Sequence, residues 1–277
     1  MKTLYLTDLD GTLLNSQAEL SKRSSDILNF LIKNGMLFTV ATARTSATVL
    51  DMFSDVALNI PLVLMNGVLL YDIKTDRNLI CHSIKKDEAD EIIEIFKKHG
   101  KSPMLYFQRD GYLEIMYKDL TNEHQLSYVN NRKNLIKKRF VYSRELKIEK
   151  DDKLVYIVTL DRPEEISDIY NEIIARDKIT CAFYTDNYTE CNFLECMSKK
   201  ASKATAAMEL KKILGVDRIV AFGDNLNDIP LFEIADECYA VSNACDELKK
   251  IATGTIPSND DDAVAEFLLS RFSEDKM

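Results

Sequence analysis

The chain has 277 residues, 29% charged and 46% hydrophobic, with a formal net charge of -9. That composition is ordinary for a globular protein, and the acidic excess argues against non-specific affinity for nucleic acid or anionic membranes. It leaves small phosphorylated ligands open, because one divalent cation and one lysine reverse the field inside a cleft. Residues 4–9 then form a short apolar run that reads as a strand and runs into Asp8-Leu9-Asp10-Gly11-Thr12. The run starts so near the first residue that no signal peptide is expected, and a cytoplasmic protein follows. Side chains alternate along a strand, so Asp8 and Asp10 are expected to point the same way. Two carboxylates beside a glycine turn suit metal-assisted phosphoryl transfer: one attacks phosphorus, the other handles a proton, and Mg²⁺ holds down their repulsion. The competing reading is an ordinary solvated Asp-Gly turn.

Ser21 caps a predicted helix whose Ile27, Phe30 and Leu31 share a face, and Gly35 ends it. Residues 36–41 read as a buried strand leading into Thr42-Ala43-Arg44, residues 46–55 as a helix, and residues 61–65 as a strand closed by Asn66-Gly67. Alternating strands and helices predict a parallel sheet, whose ligands sit at the carboxyl ends of its strands. Asp8, Thr42 and Asn66 all fall at such ends.

The middle changes character. A hairpin is expected over 68–83, a helix over 86–99, and strands over 103–107 and 111–117 around the Asp110-Gly111 turn. The polar stretch 119–139 reads as one helix plus a loop, with Lys137-Lys138-Arg139 a solvated face. A strand over 153–160, a helix over 163–177 and strands over 179–185 and 190–196 complete an α+β insertion, joined by hinges near 82–85 and 186–190. Three segments are therefore expected: a core over 1–83, an insertion over 84–188, and the rest of the core over 189–277. The parallel rhythm returns with a helix over 203–214 and a strand over 218–222, followed by Gly223-Asp224-Asn225-Leu226-Asn227-Asp228. This second acidic pair, also at a strand end, is suited to coordinating Mg²⁺ opposite Asp8. Helices over 228–235, 244–252 and 261–271 and a strand over 238–241 finish the chain. No apolar stretch reaches the ~18 residues a membrane helix needs. Six cysteines without a close C-x-x-C pair or histidines at zinc spacing read as reduced thiols.

Taken in order, Asp8-Leu9-Asp10-Gly11-Thr12, Thr42, a lysine before the 203–214 helix, and Gly223-Asp224 with Asn227-Asp228 resemble the four motifs of the haloacid dehalogenase-like phosphohydrolases. The length and the large insertion between the second and third motifs are similar to the Cof-type branch. This resemblance implies an α/β fold, a Rossmann-like parallel-sheet core with an inserted α+β cap, and a Mg²⁺-dependent phosphatase of small phosphorylated metabolites. Asp8 would be the nucleophile that becomes an aspartyl-phosphate, and Asp10 the acid and base. Mg²⁺ would be held by Asp8, the Asp10 carbonyl and Asp224, with Asp228 orienting metal-bound water. Thr42 and a lysine would hold the phosphoryl oxygens. Lys203 is best placed at the helix start, with Lys200 behind it, although Ala204 stands where the family has glycine. Arg44, Asn66 and Asn227 join the substrate-binding set; a surface ion pair for Arg44 and a plain turn for Asn66 are the alternatives. Asn243 receives little weight.

Sugar phosphates lead as substrates, ahead of nucleotides, pyridoxal phosphate and flavin mononucleotide. A phosphomutase and a non-catalytic phosphometabolite-binding protein are the rival functions. No nucleic-acid or membrane partner is expected, and periodicity identifies neither the oligomeric state nor the cap residues that set specificity. Tyr106, Arg109, Tyr112 and Tyr184 are candidates for that role by chemistry alone.

Overall fold

The computed structural model describes residues 1–120, 122–185 and 191–274. In chain order it forms β1 (Thr3–Thr7), α1 (Lys22–Lys33), β2 (Leu37–Val40), α2 (Ser46–Met52), β3 (Leu62–Leu64), β4 (Leu69–Asp72) and β5 (Arg77–Cys81). Next come α3 (Lys86–Lys98), β6 (Met104–Arg109), β7 (Tyr112–Tyr117), α4 (Glu123–Arg132), β8 (Lys138–Tyr142), β9 (Leu154–Asp161), α5 (Pro163–Ile174), β10 (Ile179–Thr185) and β11 (Asn192–Ser198). The last stretch holds α6 (Lys203–Leu214), β12 (Arg218–Gly223), α7 (Ile229–Ile234), β13 (Glu237–Val241), α8 (Asp246–Ile251), β14 (Gly254–Ile256) and α9 (Ala263–Glu274). These elements divide into two compact units, Met1–Ile80 with Ser202–Met277, and Cys81–Ala201.

The first unit is built on a parallel sheet of order β14-β13-β12-β1-β2. Leu4, Leu6, Phe38, Val40, Ile219, Val220 and Phe222 are all fully buried. A sheet covered on both faces needs such continuous apolar runs, and they are what made these strands legible. The Ser21 hydroxyl accepts from the Ser24 amide (2.9 Å) and caps α1. Beyond the last strand, Asp260 accepts from the Ser16 amide and Asp262 from the Ser24 hydroxyl, both at 2.7 Å. The acidic run before α9 thus fastens the region of α1. The expectation that residues 61–65 extend the parallel sheet holds only in part. One parallel bridge, Ala41 to Val63, joins β3 to β2, and β3 otherwise pairs antiparallel with β4 in a separate β3-β4-β5 sheet.

The second unit holds a six-stranded sheet of order β10-β11-β9-β6-β7-β8. Its pairs are antiparallel except β7 with β8. Ile92, Phe96, Ile166, Ile169 and Ile173 of α3 and α5 pack with Leu105, Phe107, Ile157 and Leu194 in its core. The expected second boundary, between 188 and 189, is corrected to 201/202. The reason is hydrogen bonding: β11 pairs with β10 over seven residues and with β9 on its other side, so it cannot leave this sheet. The first boundary shifts from 83/84 to 80/81, and the hinge expected near 186–190 lies outside the described residues.

The stretch read as helix plus loop runs at its end into β8, which begins at Lys138. Lys138 is accordingly not part of a solvated face. Burial lowers its ammonium to about 8, against the opposing attraction of Glu195, whose own carboxyl burial raises to about 7.

Candidate active site

All nine residues singled out from the motifs lie in the first unit, and the parallel sheet explains their convergence. Asp8 follows β1, Thr42 follows β2, Asn66 follows β3 and Asp224 follows β12, so the loops at one edge of the sheet carry them together. Asp8 and Asp10 do not share a strand face as alternation predicts. Strand β1 stops at Thr7, and Leu9–Leu13 form one wide turn in which the Leu14 amide donates to the Leu9 carbonyl (2.9 Å). Asp8 is therefore buried, whereas the Asp10 side chain is 52% exposed.

Among the clustered lysines, Lys203, the first residue of α6, is the one that pairs with Asp8 and Asp228. Its side chain is 1% exposed, and its ammonium lies 2.9 Å from Asp8 Oδ1 and 2.7 Å from Asp228 Oδ1. Lys199 instead pairs with Asp177, and Lys200 is exposed. The other Asp228 oxygen accepts from the amides of Asp224 (3.0 Å) and Asn225 (3.2 Å). Gly223 makes this possible: a Cβ there would stand 2.6 Å from the Asp228 carboxylate.

Asp8, Asp224 and Asp228 offer carboxylate oxygens within 4.8 Å of one another. Three carboxylates facing one ammonium leave an excess of negative charge in a largely buried site, and the acidities respond. Burial pushes Asp8 up to about 8; Lys203 opposes the rise, while Asp228 and Asp224 add to it. Asp224 is pushed up to about 6, chiefly by burial and then by Asp228. The two carboxylates hold the Lys203 ammonium above its ordinary value despite its burial. The donor set therefore fits a hard divalent cation, which takes oxygen ligands and would relieve this repulsion. Asp228 fits least as a direct ligand, since both its oxygens already have partners, and the Asp10 side chain stands outside the cluster.

Two residues that brace this cluster were underrated in the sequence. Thr12, buried, donates its hydroxyl to Asp224 Oδ1 (2.9 Å). Asn243 donates to the Gly11 carbonyl (2.8 Å) and accepts from the Asn259 amide (3.1 Å), fixing the turn between Asp10 and Thr12. The Ser242-Asn243-Ala244 segment was the available signal, but nothing local reveals a bond reaching residue 11. Gly11 has φ +75°, and a Cβ there would come 2.5 Å from Asp224 Oδ2, so no other residue lets the turn approach that carboxylate.

Arg44 forks onto Asp10, with Nε 2.8 Å and Nη2 2.6 Å from its two carboxylate oxygens. The Thr42 hydroxyl, fully buried, accepts from the Arg44 amide (3.1 Å). Asn66 adopts φ +52° and accepts from the Asn227 amide group (3.3 Å), bringing the turn after β3 to the loop after β12. Gly67 is the tighter constraint. Its φ is +85°, and a Cβ would stand 2.0 Å from the Ser202 carbonyl oxygen, immediately before Lys203. Gly67→Ala is expected to cost about 2–3 kcal/mol in a urea titration and to lower kcat, because relief of the clash must move the start of α6.

The chain belongs to the haloacid dehalogenase-like hydrolases, whose family model matches residues 5–268. It is a phosphatase of that family, and curated phosphatases match it over nearly their whole length. The 5-amino-6-(5-phospho-D-ribitylamino)uracil phosphatase YwtE of Bacillus subtilis is 26% identical, over 94% of this chain and 95% of its own. The pyridoxal phosphate phosphatase YbhA of Escherichia coli is 24% identical, over 95% and 96%. In fold, the chain resembles a haloacid dehalogenase-like hydrolase from Bacteroides thetaiotaomicron at TM-score 0.77 and 21% identity, covering 97% of this chain and 98% of that one. Among the described residues, no helix is long and apolar enough to cross a membrane.

Proposed function

We propose that the protein is a Mg²⁺-dependent phosphatase of a small phosphorylated metabolite, with sugar phosphates the first substrate class, working through an aspartyl-phosphate at Asp8. The observation that carries this reading is the buried ammonium of Lys203 bridging Asp8 and Asp228, with Asp224 within reach of both carboxylates. Asp8 attacks phosphorus, forming the acyl-phosphate bond as the bond to the leaving oxygen breaks. Asp10 gives that oxygen a proton, then takes one from the water that attacks the phosphorus and frees Asp8. Lys203 and the Thr42 hydroxyl stabilise the charge on the phosphoryl oxygens. Arg44 forks onto both Asp10 oxygens, so one contact must open before Asp10 donates, which frees the guanidinium to meet phosphoryl oxygen. Asn66 and Asn227 line the same edge and offer amide groups to the substrate. Asp8, the Asp10 carbonyl and Asp224 would hold Mg²⁺, with Asp228 orienting its water. The bound cation would supply charge neutralisation that lets Asp8 stay ionised.

Heterocycle-bearing phosphates form the second substrate class, favoured by the two relatives named for a ribitylaminouracil phosphate and for pyridoxal phosphate. The inserted unit would act as the cap that sets the choice. The test is phosphate release from a panel of sugar, nucleotide and cofactor phosphates, with Mg²⁺ or with EDTA, at pH 6 and pH 8. Release should vanish in EDTA. About a hundredfold more Mg²⁺ should be needed for half-maximal rate at pH 6 than at pH 8, because Asp8 (about 8) and Asp224 (about 6) must lose protons before a cation binds. No release from any compound by folded protein with Mg²⁺ would transfer the assignment to a mutase or a binding protein.

A further inference from the structure

Two cysteines of the second unit face each other across neighbouring strands. Cys181 on β10 and Cys196 on β11 are direct partners in the antiparallel register, and their sulfurs lie 3.5 Å apart. Directly opposed residues of an antiparallel pair have Cα atoms about 4.5–5.5 Å apart, inside the ~4.4–6.8 Å span that a disulfide bridges. The backbone therefore already stands where a bridge requires it. The two thiols are unequal. Cys196 is fully buried in the core with Leu194, Phe107 and Ile173, whereas Cys181 is partly exposed. Cys238, by contrast, has the Ile251 carbonyl and the Thr253 hydroxyl as its neighbours.

We propose that Cys181 and Cys196 form a modification site, closing reversibly to a cross-strand disulfide by exchange with a low-molecular-weight disulfide. The Cys181 thiolate attacks one sulfur of the small disulfide; a Cys181–S–S–R bond forms and one thiolate RS⁻ leaves. Cys196 then gives its proton to the released thiolate and attacks the Cys181 sulfur, expelling the second RS⁻. Two protein thiols are oxidised, one small disulfide is reduced to two thiols, and no other electron acceptor is needed. The order follows from access, and the Cys181 thiol and burial hold Cys196 well above the ordinary thiol range, so it acts second. Because β10 is the edge strand of the six-stranded sheet, the bridge would clip that edge onto β11.

The experiment treats the full chain with hydroxyethyl disulfide, blocks remaining thiols by alkylation and maps the peptides. The expected result is a linked pair of peptides carrying Cys181 and Cys196, the loss of two hydrogens, reversal by excess thiol, and slower amide exchange in β10. Cys196→Ser should instead accumulate the mixed disulfide on Cys181, while Cys181→Ser should leave Cys196 unmodified. Mapping of the unsubstituted chain decides the matter even if either variant fails to fold. Persistence of both thiols while other cysteines react, or linkage of either to a different cysteine, would overturn the proposal.

Discussion

Asp8→Asn is expected to lower kcat by about 10⁴-fold or more while leaving the protein folded and at least as stable at pH 8. The loss of rate follows because the amide cannot form the acyl-phosphate that splits the reaction into two steps. The sign of the stability change follows from the acidity of Asp8, pushed up to about 8 mainly by burial. A carboxyl whose folded pKa is raised costs stability as pH rises above its unfolded value, toward the folded one. Removing that carboxyl removes the cost, and Lys203 keeps Asp228 as a partner at 2.7 Å. Phosphate release and a urea titration at pH 8 check both halves. A variant that loses rate only because it unfolds would contradict the assignment.

Lys203→Met should damage both properties. Its ammonium is 1% exposed and balances two carboxylates at 2.9 and 2.7 Å. Breaking a buried charge pair by removing one partner costs about 3–5 kcal/mol, because the remaining charges have neither water nor a counterion. The penalty should shrink at pH 5, where Asp8 and Asp224 take up protons (about 8 and about 6 in the intact site). A fall in kcat of about 10²–10³-fold is expected as well, the usual cost of one donor aimed at developing charge. Lys200→Met, by contrast, should leave kcat and the urea midpoint unchanged, since that side chain is exposed. Equal effects at the two lysines would contradict the geometry.

Much of this site is legible in the sequence because its residues sit beside strong local signals. Asp8, Thr42 and Asp224 each follow an apolar run that only a covered parallel strand uses. What the sequence hid is non-local. Thr12 and Asn243 act through bonds to Asp224 and Gly11, more than two hundred positions away, and neither motif nor periodicity encodes such a contact. The edge strand β8 was missed because its lysine and arginine weaken a strand signal and its parallel pairing with β7 leaves no hairpin turn to read. The second unit boundary was different, because the information was present. Two strands around one turn form a hairpin, so β11 had to remain with β10. Lys138 misled for the usual reason that charge runs are assigned to solvent, whereas here the lysine opens a strand and burial and Arg132 lower its ammonium to about 8.

The central claim is a covalent phosphate on Asp8, and acid-quenched turnover with a phosphoryl-labelled substrate tests it most directly. The label should be found in the peptide containing Asp8, be stable in acid, be released by hydroxylamine, and be absent from Asp8→Asn. Steady turnover with no protein-bound label at any quench time, or with the label on another residue, would contradict the aspartyl-phosphate account.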